Sequence, residues 1–130
     1  MNYYAMMGEY KSVDANSKLE KADNHKYIQL IFDDLLKNLE TLSYSIKYEP
    51  IKSSIKSKSF SQSLVALMIL QTSLDFKNGE PIASNLFKIY EYCRKSIIKN
   101  YRNNETQDIE KSIECLRDIQ DAWKKIKISS

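Results

Sequence analysis

The scarcity of glycine and proline limits what this chain can fold into more than any other feature. The 130 residues contain two glycines and two prolines, about 3% of the chain where roughly 12% is usual. A β-sandwich needs a turn signal about every 8–12 residues, and two isolated glycines cannot form the Gly-rich loop that holds a nucleotide phosphate. The sequence therefore predicts a single all-α domain over residues 1–130 with few, short connections.

The positions of the chain breakers, together with apolar residues that recur at steps of three and four, predict four helices. Asp23 is a suitable N-cap for the first helix, and Pro50 bars its continuation. Gly79 offers a C-cap before the third helix, and Thr106 offers an N-cap for the last one. The predicted helices are 24–47, 57–74, 82–102 and 106–127, after a short helical or extended cap segment at 1–22. Helices of this length with short links form an antiparallel four-helix bundle.

Charge, cysteine content and hydropathy exclude several classes of protein. The formal net charge of +3 is too mixed for an electrostatic footprint on nucleic acid. Neither Cys93 nor Cys115 belongs to a CxxC pair, so we interpret both as small buried thiols in a reducing compartment. The N-terminus has no signal-peptide pattern, and the longest apolar run, 64–70, is too short to span a bilayer. We therefore expect a soluble, cytoplasmic protein that binds no nucleic acid and does not insert into membranes.

Catalytic and metal-binding interpretations find little support in the sequence. His25 is the only histidine, which excludes a di-iron bundle built on two Glu-x-x-His motifs. A zinc site would need clustered Cys and His ligands, and neither cysteine has such a neighbour in the sequence. Asp33, Asp34 and Asp75 have no recognisable catalytic partner, so we interpret them as solvated or capping charges. We predict a protein that is not an enzyme and that holds no metal or cofactor.

The second and third predicted helices carry more apolar surface than a bundle helix needs, since a stripe about 100° wide is enough to face the core. Seven consecutive apolar residues at 64–70 make the second helix apolar on all sides. In the third helix Ile82, Ile89, Tyr92 and Ile98 lie outside the main stripe. Four explanations are open: a second helix surrounded by its neighbours, cover by the aromatic N-terminal segment, self-association, or a groove for an apolar partner segment.

Three stretches of the sequence carry a resemblance to a known family. They are HKYIQLIFD at 25–33, SLD at 73–75 followed by GE at 79–80 and ASNLFKIYEY at 83–92, and LRDIQDAW at 116–123. In order and spacing they resemble the motifs of the FliS family of flagellin-specific export chaperones, over the chain from about Tyr10 onward. Two places depart from the family's pattern: Asp23-Asn24 stands where many members have Ser-Pro, and the connection after Pro50 lacks the usual Gly-Asp turn.

The resemblance implies a cytoplasmic export chaperone. Its client would be the C-terminal segment of flagellin, which is disordered until it packs as helices. Binding would prevent premature polymerisation and aid delivery to the flagellar type III export gate. The gate and other flagellar assembly factors are further partners that the family implies, and the chain would be a monomer or a weak dimer. The alternative is a structural or adaptor bundle that self-associates through its surplus apolar surface and binds no client.

The residues expected to bind flagellin are those that are apolar in excess of the core stripe, together with Asn85 as an amide contact to the client backbone. They are Tyr27, Leu30 and Ile31 in the first helix, Leu67, Ile69, Leu70 and Leu74 in or at the end of the second, and Ile82, Asn85, Ile89 and Tyr92 in the third. For any one of them the alternative is an ordinary core residue. Tyr10 and Val13 are expected to cover the groove when no client is bound.

Overall fold

Four helices make up the part of the chain that the computed structural model describes, which is residues 17–49 and 54–126, with side chains from residue 23 onward. The helices are α1 (Ser17–Tyr48), α2 (Ser54–Thr72), α3 (Ile82–Asn103) and α4 (Gln107–Lys124). No strand occurs in these described ranges, so the all-α prediction is confirmed. Tyr10 and Val13 lie outside the described residues.

Contacts between helix ends show that neighbouring helices run antiparallel. His25, near the start of α1, bonds to Trp123 at the end of α4. Phe60, in the first half of α2, stacks on Tyr101 near the end of α3 with 3.8 Å between ring centroids. Each helix packs on the one before it in the chain, and α4 packs back on α1. The result is the predicted antiparallel four-helix bundle.

The boundaries of α1 and α2 differ from the predicted ones. α1 begins at Ser17, so Asp23 lies inside the helix and is not its N-cap. The cause is the stretch KLEKA at 18–22, which consists of strong helix formers and contains no breaker. α2 begins at Ser54 and ends at Thr72, three and two residues earlier than predicted; its first turns pack on the bundle through the buried Lys56 and Ser59, which an apolar pattern does not reveal.

The turn between α2 and α3 is built on Asp75. Its carboxylate accepts hydrogen bonds from the backbone N–H groups of Asn78 and Lys77, both at 3.1 Å, and these bonds, that of Asn78 foremost, lower the pKa of Asp75. Asp75 is exposed and stabilises this turn without capping a helix, so of the two interpretations, solvated or capping charge, the structure agrees with the first. Gly79 does not cap α2, contrary to prediction, since α2 ends at Thr72. Glycine is needed there because a Cβ at this position would lie 2.6 Å from the Asp75 carbonyl oxygen.

The junction between α3 and α4 depends on a buried amide. The Oδ1 of Asn100 accepts hydrogen bonds from the backbone N–H groups of Asp108, at 2.8 Å, and Ile109, at 2.9 Å. These groups belong to the first turn of α4, where no intrahelical acceptor exists. Thr106 occupies the N-cap position, but its side chain makes no cap hydrogen bond. The predicted N-cap is therefore replaced by a cap from the neighbouring helix.

Apolar side chains of all four helices meet in one core. Those with no exposed surface are Leu35, Leu39, Leu42, Leu67, Ile97, Ile109 and Leu116. Cys93 is buried among them and Cys115 is half-buried, and both thiols are free. Burial raises the pKa of Cys93 to about 11, so this thiol stays protonated at neutral pH and packs as a small apolar group.

Candidate binding groove

An apolar groove of about 360 Å³ opens at the end of the bundle where α1 begins and α4 ends. Side chains from every helix line it. They are Ile28 and Phe32 of α1, Leu70, Ser73 and Leu74 at the end of α2, Ile82, Leu86 and Tyr90 of α3, and Ile119, Ala122, Trp123 and Ile126 at the end of α4. A concave lining of this composition is suited to apolar side chains of a ligand.

The groove carries no charge at physiological pH. Tyr90 is the one titratable residue among the described lining residues, and burial raises the pKa of its hydroxyl. The hydroxyl of Ser73 donates to the Ile69 carbonyl oxygen at 2.7 Å, so it is already satisfied within the chain. Across residues 23–49 and 54–126, no group of three or more His, Cys, Asp and Glu side chains could hold a metal ion. An uncharged, apolar lining of this kind favours the binding of an apolar segment over catalysis.

A reciprocal contact between His25 and Trp123 supports one wall of the groove. The Trp123 Nε1–H donates to the His25 carbonyl oxygen at 3.0 Å, and the His25 Nε2–H donates to the Trp123 carbonyl oxygen at 2.8 Å. The two rings also stack, with 4.6 Å between centroids. Further along the same seam, the buried Gln120 amide donates to the Asp33 carboxylate at 2.6 Å. These bonds hold the end of α4 against the start of α1 and fix the indole at the groove.

A row of side chains leads from the groove along the outside of α3. Ile82 and Tyr92 are 66% and 64% exposed, and between them Asn85 is exposed and Ile89 is half-buried. Steps of three, four and three place these four residues on one side of the helix. We call Ile82, Asn85, Ile89 and Tyr92 the α3 stripe. It extends the groove by about 15 Å, from ten residues at a rise of 1.5 Å each.

Six of the eleven predicted binding residues belong to this continuous surface. Leu74 lines the groove, as does Leu70 although it is only 2% exposed, and Ile82 belongs to both the groove and the α3 stripe. The others are Asn85, Ile89 and Tyr92. The prediction that α3 carries apolar side chains in excess of its core stripe therefore agrees with the exposure of Ile82 and Tyr92.

The expectation that Leu67, Ile69 and Ile31 are open surface is corrected by their burial. They are 0%, 3% and 4% exposed and belong to the core. The physical reason for Leu67 and Ile69 is that α2 packs against both α1 and α3, which covers two of its sides. Ile31 lies on the face of α1 that contributes to the core cluster. In the middle of α2 the structure agrees with the explanation of a helix surrounded by its neighbours.

Tyr27 and Leu30 lie on α1 away from the groove lining. Tyr27 is half-buried and packs against the core cluster. Leu30 is 56% exposed, but it is not among the residues that line the groove. The structure therefore does not bring these two residues together with those of α3.

The sequence reasoning missed nine groove residues, because most of them occupy ordinary core positions in their helices and the others lie at or just beyond helix ends. They are Ile28, Phe32, Ser73, Leu86, Tyr90, Ile119, Ala122, Trp123 and Ile126. Periodicity cannot separate a core position in the middle of a bundle from one at its open end. The available signal was Trp123, a large aromatic residue on the apolar stripe of the last turn of α4, where little of the helix remains to cover it.

Comparisons with known proteins converge on one family. The sequence model of a family described as "Flagellar protein FliS" matches residues 6–130. A flagellar secretion chaperone FliS of Vibrio cholerae is 26% identical over 117 residues, which cover 90% of this chain and 85% of the relative. A protein of the same name from Salmonella typhimurium is 26% identical over 118 residues, with 90% and 86% covered. A flagellar secretion chaperone FliSB of Pseudomonas aeruginosa is 25% identical over 122 residues, with 92% and 95% covered.

Proposed function

Because the chain belongs to the FliS family of flagellar proteins, we propose that it is a flagellar secretion chaperone whose client is the C-terminal segment of flagellin. Relatives that match most of its length carry the name of secretion chaperone, which also agrees with the prediction that it is not an enzyme. The protein acts in the cytoplasm, before export of the client. The export gate and other flagellar assembly factors are further proposed partners.

The observation that carries the client assignment is the apolar groove and its continuation along the α3 stripe. An amphipathic segment that cannot bury its apolar side chains alone gains that burial in a groove lined by four helices. Ordering the segment costs part of the binding free energy, which leaves an affinity that permits later release. The apolar residues of the client enter the groove, and its next turns cover Ile82, Ile89 and Tyr92.

The N-terminal segment is proposed to cover the groove while no client is bound. The groove lies at the end of the bundle where α1 begins, so residues that precede Ser17 are within reach of it. Tyr10 precedes Ser17 by seven positions, and an extended chain of that length spans up to about 24 Å, which exceeds the roughly 16 Å along α1 from Ser17 to Ile28. Tyr10 and Val13 are the side chains proposed to enter the groove. Deletion of residues 1–16 is then expected to strengthen client binding, and unchanged affinity would count against this cover.

The alternative of a structural bundle that self-associates and binds no client is not favoured. The relatives that match most of the chain are named chaperones. The middle of α2, which supplied much of the predicted surplus surface, is buried inside the bundle. The surface available for self-association is correspondingly smaller.

The test is a titration with a peptide of the C-terminal segment of flagellin from the same organism. Calorimetry measures the affinity, and the fluorescence of Trp123, the only tryptophan, reports occupation of the groove. Ile82→Glu places a charge at the groove and is expected to weaken binding at least about tenfold, because an apolar contact is replaced by a desolvated carboxylate. Leu30→Glu is the matched control, an exposed aliphatic residue of α1 outside the groove, and should change affinity less than about twofold. Absence of saturable binding by the unmodified protein would refute the proposed function.

A further inference from the structure

α3 concentrates the positive charge of the protein. Its 22 residues include five basic side chains and one acidic side chain, a formal charge of +4, whereas the whole chain carries +3. The remainder of the chain is therefore nearly balanced. Among the four helices α3 therefore carries the largest formal positive charge, and it is also the helix that carries the exposed stripe.

Four of these basic residues form a narrow row on the outside of α3. At about 100° per residue, their positions fall within about 60° of one another, on the side of the helix opposite the buried residues Tyr90, Cys93 and Ile97. We call this row the α3 ridge, and it consists of Lys88, Lys95, Lys99 and Arg102. It extends about 21 Å along the helix. Tyr92 of the α3 stripe lies within about 40° of Lys88 and Lys99, so the ridge adjoins the stripe at its Tyr92 end, with an axial overlap of about 6 Å from Lys88 to Tyr92.

The charges of the α3 ridge are largely available to a ligand. All four side chains are exposed. Within the described part of the chain Lys88 and Arg102 have no ion pair, and Lys99, with a side chain 66% exposed, has a long one of 3.6 Å to Asp108. A shallow depression of about 380 Å³ follows the second half of the ridge, with Ile98 among its lining residues.

We infer that the α3 ridge selects clients whose bound segment carries carboxylates beside its apolar face. This inference rests on the proposed function and adds a chemical requirement on the client. A helix that covers Ile82, Ile89 and Tyr92 with its apolar face brings its flanking side chains over the neighbouring ridge. Aspartate or glutamate at those flanking positions meets Lys88 and Lys95, and where the client continues past Tyr92 its carboxylates meet Lys99 and Arg102, whereas lysine or arginine there is repelled.

An acidic protein segment fits the α3 ridge better than nucleic acid or an anionic membrane does. A phosphate backbone or a lipid surface would satisfy the four cations but would leave the adjacent α3 stripe exposed to water. The nearly balanced charge of the rest of the chain also gives a polyanion little further attraction. An amphipathic segment with an acidic flank covers both the apolar and the cationic row.

The test compares two triple variants that lose the same charge. The ridge variant is Lys88→Gln with Lys95→Gln and Arg102→Gln. The control carries Lys37→Gln, Lys58→Gln and Lys111→Gln, which are exposed positions on the other three helices. The probes are the flagellin C-terminal peptide and two designed amphipathic peptides that share one apolar face and carry either glutamate or glutamine on its flank. Affinities are measured by calorimetry at 50 mM and 500 mM NaCl.

The ridge variant is expected to bind the flagellin peptide about tenfold more weakly at 50 mM salt, the sum of three modest surface ion pairs. The difference should shrink at 500 mM, where the Debye length falls below about 5 Å, and the control should stay within about twofold. The unmodified protein should prefer the glutamate-flanked peptide about tenfold, and the ridge variant should lose that preference.

Each other outcome overturns a specific claim. Equal binding of the flagellin peptide by all three proteins would overturn the inference and leave the proposed function intact. If the flagellin peptide binds none of them, the proposed function fails, and the designed pair still decides whether the ridge prefers an acidic flank. If the ridge variant loses binding only to vesicles of phosphatidylcholine and phosphatidylglycerol, or only to a single-stranded DNA oligonucleotide, the ridge serves a different partner and the inference is wrong.

Discussion

The cap that Asn100 provides for α4 leads to a prediction that opposes the usual rule for helix starts. The rule assigns about 1 kcal/mol to a Thr at the N-cap position, which is Thr106. In this structure the side chain of Thr106 makes no cap hydrogen bond, whereas Asn100 accepts two from the backbone N–H groups of Asp108 and Ile109. We expect Asn100→Ala to be much more destabilising than Thr106→Ala.

The magnitude follows from the groups that the substitution leaves without partners. Asn100 is 1% exposed and Ile109 is fully buried, so water cannot replace the lost amide oxygen at the Ile109 N–H. An unsatisfied buried N–H costs about 1–3 kcal/mol, and the second, half-buried bond at Asp108 adds about 1 kcal/mol. Asn100→Ala should therefore cost about 3 kcal/mol and lower Tm by about 10 °C for a chain of this size. Thr106→Ala should cost less than about 0.5 kcal/mol.

Urea unfolding followed by far-UV circular dichroism measures both free energies of unfolding. Asn103→Ala, an exposed position on the last turn of α3, controls for the loss of an amide from this helix. Asn100→Asp is a second comparison, because it keeps an oxygen acceptor for the two N–H groups but places a carboxylate beside Asp108. Equal losses of stability for Asn100→Ala and Thr106→Ala would refute the reasoning that α4 is capped from α3.

Three further predictions concern the seam between α1 and α4 and the dependence of stability on pH. His25→Phe keeps a ring against Trp123 but loses the 2.8 Å hydrogen bond, so it should cost about 1 kcal/mol, less than His25→Ala, as measured by thermal unfolding. Burial raises the pKa of Cys93 to about 11. The stability that comes from the protonated, buried thiol is therefore fully present below pH 9 and is lost as the pH rises to 11. Cys93→Ala should flatten the curve of unfolding free energy against pH in that range. Hydrogen bonds from Arg94 and Gln71 lower the pKa of Glu91 to about 2. The stability that comes from the ionised Glu91 carboxylate is therefore present above about pH 4.5 and is lost as the pH falls to 2. Glu91→Gln should flatten the fall of the unfolding free energy at acid pH, and an unchanged fall would contradict that assignment.

The number and order of the helices could be predicted from the sequence because they depend on breakers that act locally. Pro81 and Asn104 delimit α3, and the observed helix departs from the predicted one by a single residue at its end. Asp23 misled the prediction of α1, because an N-cap residue starts a helix only where the preceding residues do not already form one. Asn100 as the cap of α4 could not be predicted, since it acts across a packed interface that local patterns do not describe.

The binding surface could be predicted on α3 but not on α2, for a related reason. On α3, Tyr92 and Ile82 depart from the core stripe, and a departure from periodicity is visible in the sequence. On α2, an apolar run such as 64–70 has no periodicity to depart from, so exposure depends on how many neighbours the helix has. The packing of α1 and α3 on α2 buries Leu67 completely, and the number of helices that pack on a given helix cannot be read from its sequence.

The motifs that carry the family resemblance converge on the groove although they are far apart in the chain. The stretches 25–33, 73–92 and 116–123 supply Ile28 and Phe32 of one wall, Leu74 and Leu86 of another, and Trp123 with its His25 support. Motifs that encoded helix packing alone would be spread along the whole bundle. Core residues toward the other end, such as Leu39, Leu42 and Ile109, lie outside all three stretches. The three stretches that carry the resemblance therefore come together at the open end of the bundle, which is the place proposed to hold the client.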